Sequence, residues 1–142
     1  MLELKNIDLR RDASAARFVK HEIVEVAFAA LAGELASREG PNRYAAGDAL
    51  VTGSTGDRWS VSRDRFDAKY LPLEALRHGE DGRYRARPVP VLARQMDSAF
   101  CIERSAGGDL LRGAALDWLL QYAPGDYGIV ENARFQAVYR PV

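Results

Sequence analysis

Residues 46–73, AGDALVTGSTGDRWSVSRDRFDAKYLPL, and residues 115–142, ALDWLLQYAPGDYGIVENARFQAVYRPV, lie over each other without a gap at an offset of 69. Of the 28 paired positions 11 are identical, where about two would coincide from average residue usage. The match reads as an internal duplication, and it limits the chain to folds built from two similar units. Each copy carries the same local signals. Asp48-Ala-Leu-Val-Thr and Asp117-Trp-Leu-Leu-Gln are apolar runs of strand length, followed by the turn residues Gly53-Ser-Thr-Gly56-Asp57 and Ala123-Pro-Gly125-Asp126. Gly56 and Gly125 stand where a tight hairpin most needs a positive φ. Return strands are predicted over Arg58 to Ser62 and Tyr127 to Glu131. Phe66 and Tyr70, like Phe135 and Tyr139, are then four residues apart, the spacing of one helical turn that stacks its aromatic rings on the hairpin. Pro72 and Pro141 close the unit.

Upstream of the repeat the reading is less direct. Val19 to Leu31 fits a helix, with Val19, Ile23, Val26 and Ala30 on one face, and also fits a strand, with Val24, Val26 and Phe28 alternating with Glu25 and Ala27. Its counterpart, Arg87 to Met96, has two prolines and β-branched residues and reads as an edge strand, which weights the first copy toward strand. Gly33-Glu-Leu-Ala-Ser-Arg and Gly108-Asp-Leu-Leu-Arg-Gly are expected to be further strands, and Leu2 to Ile7 another. Glu74 to Arg87 is charged, holds two glycines and shows no apolar periodicity, so it reads as the linker. The division falls between a repeat unit at 1–76 and a second at 77–142. Units of this size are marginal alone, so both are expected to pack around a shared core. The predicted fold class is α+β, mainly β: a two-lobed domain from duplication of a hairpin and short-helix unit, with pseudo-twofold symmetry.

Composition narrows the function. Twenty Lys and Arg balance twenty Asp and Glu, which argues against a dedicated nucleic-acid binder, whose affinity rests on a basic surface. One cysteine, Cys101, excludes an internal disulfide, and with only His21 and His78 beside it a Cys/His zinc site is also excluded. Glu25, Gly33 and Glu34 interrupt the longest apolar stretch, and Met-Leu-Glu-Leu-Lys lacks the build of a secretion signal. The expectation is a soluble cytoplasmic protein, without a cofactor or membrane partner.

Pro124-Gly-Asp-Tyr-Gly128 spells the motif of the PGDYG family. The wider pattern is carried by Gly47-Asp48, Gly56-Asp57 and Phe66/Tyr70/Pro72, and again by Asp117-Trp118, Gly125-Asp126 and Phe135/Tyr139/Pro141. The chain resembles this family of short bacterial and phage proteins over about 60 residues. The second copy departs from the pattern, with Leu116 where the first has Gly47. The resemblance implies a fold and no reaction.

Several residues are candidates for chemistry. Asp57 and Asp126, with Asp48 and Asp117, are either paired acid–base or cation-gripping carboxylates or, more simply, bonds to their own turn backbone. Arg65 and Arg134 recur eight residues after Asp57 and Asp126, the pattern of an ion pair within each unit, or of an anion grip if the pair is split. Trp118, Tyr127 and Glu131 are not shared between copies and would make a stacking platform for a ligand, against the simpler reading of Trp118 as core. Gly53-Ser-Thr-Gly56 has the look of a phosphate cradle but lacks the lysine and context of a P-loop. Cys101 reads as an inert buried thiol. The function expected is a non-enzymatic module binding a small ligand or a protein partner, as a homodimer, through Trp118, Tyr127, Glu131, Arg134, Asp126, Asp57 and Arg65. The alternatives are a small enzyme for a nucleotide-like or acidic substrate, and an accessory protein that blocks a host factor.

Overall fold

A computed structural model describes residues 1–37 and 40–142. Strand β1 is Leu2–Glu3, a 3-10 turn follows at Leu9–Arg11, and β2 (Ala16–Lys20) and β3 (Ile23–Phe28) precede the hairpin of β4 (Gly33–Ser37) and β5 (Gly40–Tyr44). Then come β6 (Ala49–Thr52), β7 (Arg58–Val61), helix α1 (Arg63–Lys69), β8 (Tyr70–Pro72) and β9 (Gly82–Ala86). The second half runs β10 (Val91–Gln95), β11 (Phe100–Glu103), β12 (Leu110–Gly113), β13 (Trp118–Ala123), β14 (Asp126–Val130), α2 (Asn132–Val138) and β15 (Tyr139–Pro141). The chain is mainly β with two short helices, as its sequence predicts.

Two units are formed, a continuous one of residues 21–88 and a split one of residues 1–20 and 89–142. The continuous unit is an antiparallel sheet in the order β7-β6-β3-β9-β8. Val24, Val26, Ala49 and Val51 alternate inward along its strands and meet Phe66 of α1, Tyr70 and Tyr84 in one buried cluster. The split unit has a sheet in the order β14-β13-β10-β2-β15. On one face Ala93 and Leu120 pack with Phe135 and Val138 of α2. On the other, Leu119 and Tyr127 pack with Leu9, Met96, Phe100 and Ile102, from the 3-10 turn, the β10–β11 connection and the three-stranded sheet β1-β11-β12. Each helix opens one residue after its hairpin's return strand, and its two aromatics stack four residues apart: Phe66 on Tyr70 at 4.9 Å and Phe135 on Tyr139 at 4.7 Å between ring centroids.

The structure departs from the sequence reading in three places. The stretch Glu74 to Arg87 holds a strand, β9, seated between β3 and β8. Tyr84 is its one fully buried side chain, flanked by the exposed Arg83 and Arg85, so a charged surface hides an apolar anchor. The Tyr84 hydroxyl donates toward the carbonyls of Glu80 (2.7 Å) and Arg77 (3.1 Å), which ties the preceding turn to the sheet. Second, β10 is a central strand, not an edge: Pro88 and Pro90 precede it, and its own N–H groups serve the ladders to β13 and β2. Third, Gly33–Ser37 pairs with β5, a strand the sequence reading missed, and the match to its ladder is β11, not the Gly108 segment. Arg38, the end of that expected strand, lies outside the described residues. The compact units divide at 20/21 and 88/89. In chain order β2 leads into β3 and β9 into β10, yet β2 pairs with β10 and β15, while β9 pairs with β3 and β8.

The turn before each hairpin is built identically. Asp48 Oδ2 accepts from the Ala45 N–H and Asp117 Oδ2 from the Ala114 N–H, each at 2.9 Å. This is the structural role for these carboxylates. Gly47 has φ of 89° and Leu116, at the matching position, 76°. A side chain in that region costs about 1–2 kcal/mol, of which glycine's extra flexibility when unfolded takes back about 0.5–1 kcal/mol. Leu116→Gly is therefore expected to stabilise the chain by about 0.5 kcal/mol in urea unfolding, and Gly47→Ala to destabilise it by about 1 kcal/mol. Nothing lies within 4 Å of a Cβ built on Gly47, so the second effect is one of backbone conformation alone.

Candidate functional site

The sequence-predicted platform is not assembled on one surface. Trp118 and Leu120 point to the α2 side of β13, and Tyr127, opposite Gln121, points to the other. Trp118 stacks face to face on Phe135 at 3.8 Å, meets Phe18 edge-on, and donates its indole N–H to Asn132 Oδ1 at 2.9 Å. One face of the indole and its N–H are committed to packing. Tyr127 is buried and its hydroxyl donates to the Ile7 carbonyl. Glu131 caps the start of α2 with its backbone and is exposed, and Arg134 is half-buried on the same helix. The Asp57–Arg65 and Asp126–Arg134 pairs are not formed. Asp57 accepts from Thr55 Oγ1 at 3.0 Å, while Arg65 and Asp126 are exposed and make no side-chain hydrogen bond or ion pair among the described residues. Cys101 is buried in β11. Among the described residues no group of three or more His, Cys, Asp or Glu converges as a metal site would, and no helix is long and apolar enough to cross a membrane.

The unshared aromatics have another use. A Cβ on Gly53 would lie 2.9 Å from the Trp59 ring, and one on Gly128 would lie 2.6 Å from Tyr122 Oη. Gly53 and Tyr122 hold matching places two residues beyond Val51 and Leu120, as Trp59 and Gly128 do opposite them. Each hairpin thus lays one aromatic over one glycine, from opposite strands in the two cases. The β4–β5 and β11–β12 pairs repeat the arrangement, with Gly33 opposite Tyr44 and Phe100 opposite Gly113.

The phosphate-cradle reading of Gly53-Ser-Thr-Gly56 is closed by the chain itself. Glu22, 5% exposed, puts Oε2 at 3.0 Å from the Ser54 N–H nitrogen and 2.9 Å from its hydroxyl. The carboxylate occupies the place an anion would take.

In the split unit the corresponding region is open. A recess of about 230 Å³ lies between the start of β10 and the β13–β14 turn. Leu92 forms its apolar side, Pro90, Val91, Tyr122, Ala123 and Pro124 its rim, and Arg10 and Arg17 its charged edge. Arg10 is fixed by a relay that the sequence reading did not single out. Buried Gln121 accepts from the Leu9 N–H (2.7 Å) and donates to Asp8 Oδ1 (3.0 Å), and Asp8 in turn accepts from Arg10 Nη2 at 2.7 Å and from Nε. Arg17 makes no ion pair or side-chain hydrogen bond among the described residues.

The Arg10 guanidinium, then the Gln121 amide and the Arg10 N–H, hold the Asp8 carboxyl well below the usual carboxylate range. The Ser14 N–H and then Arg94 lower Asp12 against an opposing burial effect. A depressed folded-state value means stability that is full above the unfolded range near pH 4 and is lost as pH falls toward the folded value. Asp8→Asn is accordingly expected to be less stable than the parent at pH 7, with the difference shrinking to nothing under acid. Urea unfolding at stepped pH checks this, and a difference that persists in acid would assign the loss to packing instead.

A model of the PGDYG protein family matches residues 40–140. That span takes in both repeated hairpins and the Pro124-Gly125 turn at the rim of the recess. No curated protein and no solved structure matches the chain.

Proposed function

We propose that this chain, which belongs to the PGDYG protein family, is a non-enzymatic binding module built by duplication. The observation that carries the binding role is the recess beside Pro124, lined from four segments of the split unit, where the continuous unit fills the matching place with Glu22. Duplication is supported by the matched strand orders, β14-β13-β10-β2-β15 and β7-β6-β3-β9-β8, and by the aromatic-over-glycine pairs. On this reading the copies are residues 16–72 and 82–141, and each lends its first strand, β2 or β9, to the sheet of the other. Binding by a module of this kind needs no converging carboxylates, and Asp48, Asp57 and Asp117 are engaged in their own turns.

Thermal unfolding against a panel of nucleotides, sugars, amino acids and organic acids tests the role. A ligand at about 100 times its Kd adds roughly 2.7 kcal/mol, several degrees for a domain of this size. The expected result is a selective shift that Ala123→Trp, which fills the recess from its exposed rim, removes. No shift with any compound, or one that survives Ala123→Trp, overturns the proposal.

A further inference from the structure

The two units differ in where their acids stand. On the continuous sheet Arg83 lies opposite Glu25, with Nε and Oε1 3.8 Å apart. On the split sheet the matching pair is Arg17 opposite Leu92, so the arginine is retained and its acid is replaced by an apolar side chain. A second acid is missing at the same end. Glu25 faces Thr52 as Leu92 faces Gln121. Counting outward from those pairs, Glu22 corresponds to Val89 and Ser54 to Ala123. Val89 is 61% exposed and brings no carboxylate to the turn. Two carboxylates present in one unit are thus absent from the other. That other unit holds the recess and has two guanidinium groups at its edge.

We propose that the recess takes a small organic acid, its carboxylate paired with Arg17 and its short apolar body against Leu92 and Pro124. This rests on the binding role argued above and adds the charge and class of the ligand. Arg10 supplies the second guanidinium. Its Nε and one Nη2 hydrogen are held by Asp8, which leaves the Nη1 hydrogens for a ligand and fixes the plane of the group. Asp8 also cancels most of the Arg10 charge, so the net attraction comes from Arg17. A volume of about 230 Å³ admits a ligand of small-acid size and little more. The apolar side means that a bare anion without a hydrocarbon body leaves part of the site unused.

The probes are hexanoate, acetate and hexanamide, followed on the intact chain by amide chemical shifts. Hexanoate is expected to move the signals of Val91, Leu92, Tyr122 and Ala123, to bind more tightly than acetate, and to bind at least about tenfold more tightly than hexanamide. Arg17→Gln should weaken hexanoate about tenfold or more while leaving hexanamide unchanged. Val89→Glu places a carboxylate on the exposed site corresponding to Glu22 and should weaken hexanoate as an internal competitor. Arg65→Gln, at an exposed arginine of the other unit, should change nothing. If hexanamide binds as well as hexanoate, or Arg17→Gln leaves hexanoate binding intact, the carboxylate inference fails and the recess stands as an apolar site. If no probe moves those four signals, this inference is overturned. If the wider panel also fails, the binding role is overturned with it.

Discussion

Gly113→Ala is expected to unfold about 10 °C below the parent chain, a loss of about 3 kcal/mol. Gly113 is buried on β12 directly opposite Phe100 on β11, and the Phe100 ring lies across it. A Cβ at Gly113 would come within 2.5 Å of Phe100 Cζ, and closer still to Cε1. The ring cannot swing aside cheaply, because Phe100 is fully buried in the cluster with Leu9, Met96 and Leu119. The methyl group must therefore push a packed ring or spread two paired strands. Trimming the ring should return part of the loss: Gly113→Ala with Phe100→Leu is expected to be less destabilised than the sum of the two single changes. Strictly additive losses would show that the methyl meets backbone and that the aromatic-over-glycine contact is not what the position requires.

That contact also explains why the sequence revealed one part of the fold and concealed another. The hairpins, helical turns and closing prolines were legible because their signals are local: Gly56 and Gly125 have φ of 86° and 82°, and the Phe–Tyr spacing places both rings on one face of a helical turn. The matching of the aromatics was not legible. A position-by-position comparison sets Trp59 against Gly128 and Tyr122 against Gly53, and scores both as differences. What recurs is the pair across two strands, and which strand carries the ring is free to change. Differences of that kind invite a ligand-site reading, while in the structure Trp118 stacks on Phe135.

The recess was illegible for a related reason. Its lining comes from Arg10 and Arg17 in the first twenty residues and from a turn more than a hundred residues later. The strand that joins them, β2, pairs away from the repeat it precedes in the chain. Charge counting could not find it, since the total is zero and the relevant quantity is one arginine whose counterpart has an acid opposite it and which itself faces leucine. Gln121 carried a faint signal, a polar residue in an apolar run, and it proves to be the buried anchor of Asp8 and through it Arg10.

Glu22→Ala should cost about 2 kcal/mol, because hydrogen bonds to a charged acceptor contribute roughly 1.5–3 kcal/mol and the side chain is buried. Glu22 Oε2 takes both the N–H and the hydroxyl of Ser54, and it lies 3.0 Å from a Cβ built on Gly53, beneath the Trp59 ring. Removing the carboxylate frees both Ser54 donors and leaves space beside Gly53. Glu22→Gln keeps an acceptor oxygen without the charge and should lose about half as much, while Ser54→Ala removes only the hydroxyl and should lose about 1 kcal/mol. The shortened residue opens, in the continuous unit, the place that the split unit leaves open by sequence. Acetate at high millimolar concentration should then raise the melting temperature of Glu22→Ala more than that of the parent, by returning a carboxylate to Ser54. Chloride at equal ionic strength should not. A Glu22→Ala chain as stable as the parent would mean that the turn is set by Gly53 and Gly56 alone, with the carboxylate a passenger. An unstable one indifferent to acetate would mean that the lost packing of the buried side chain, not the missing anion, is what the turn depends on.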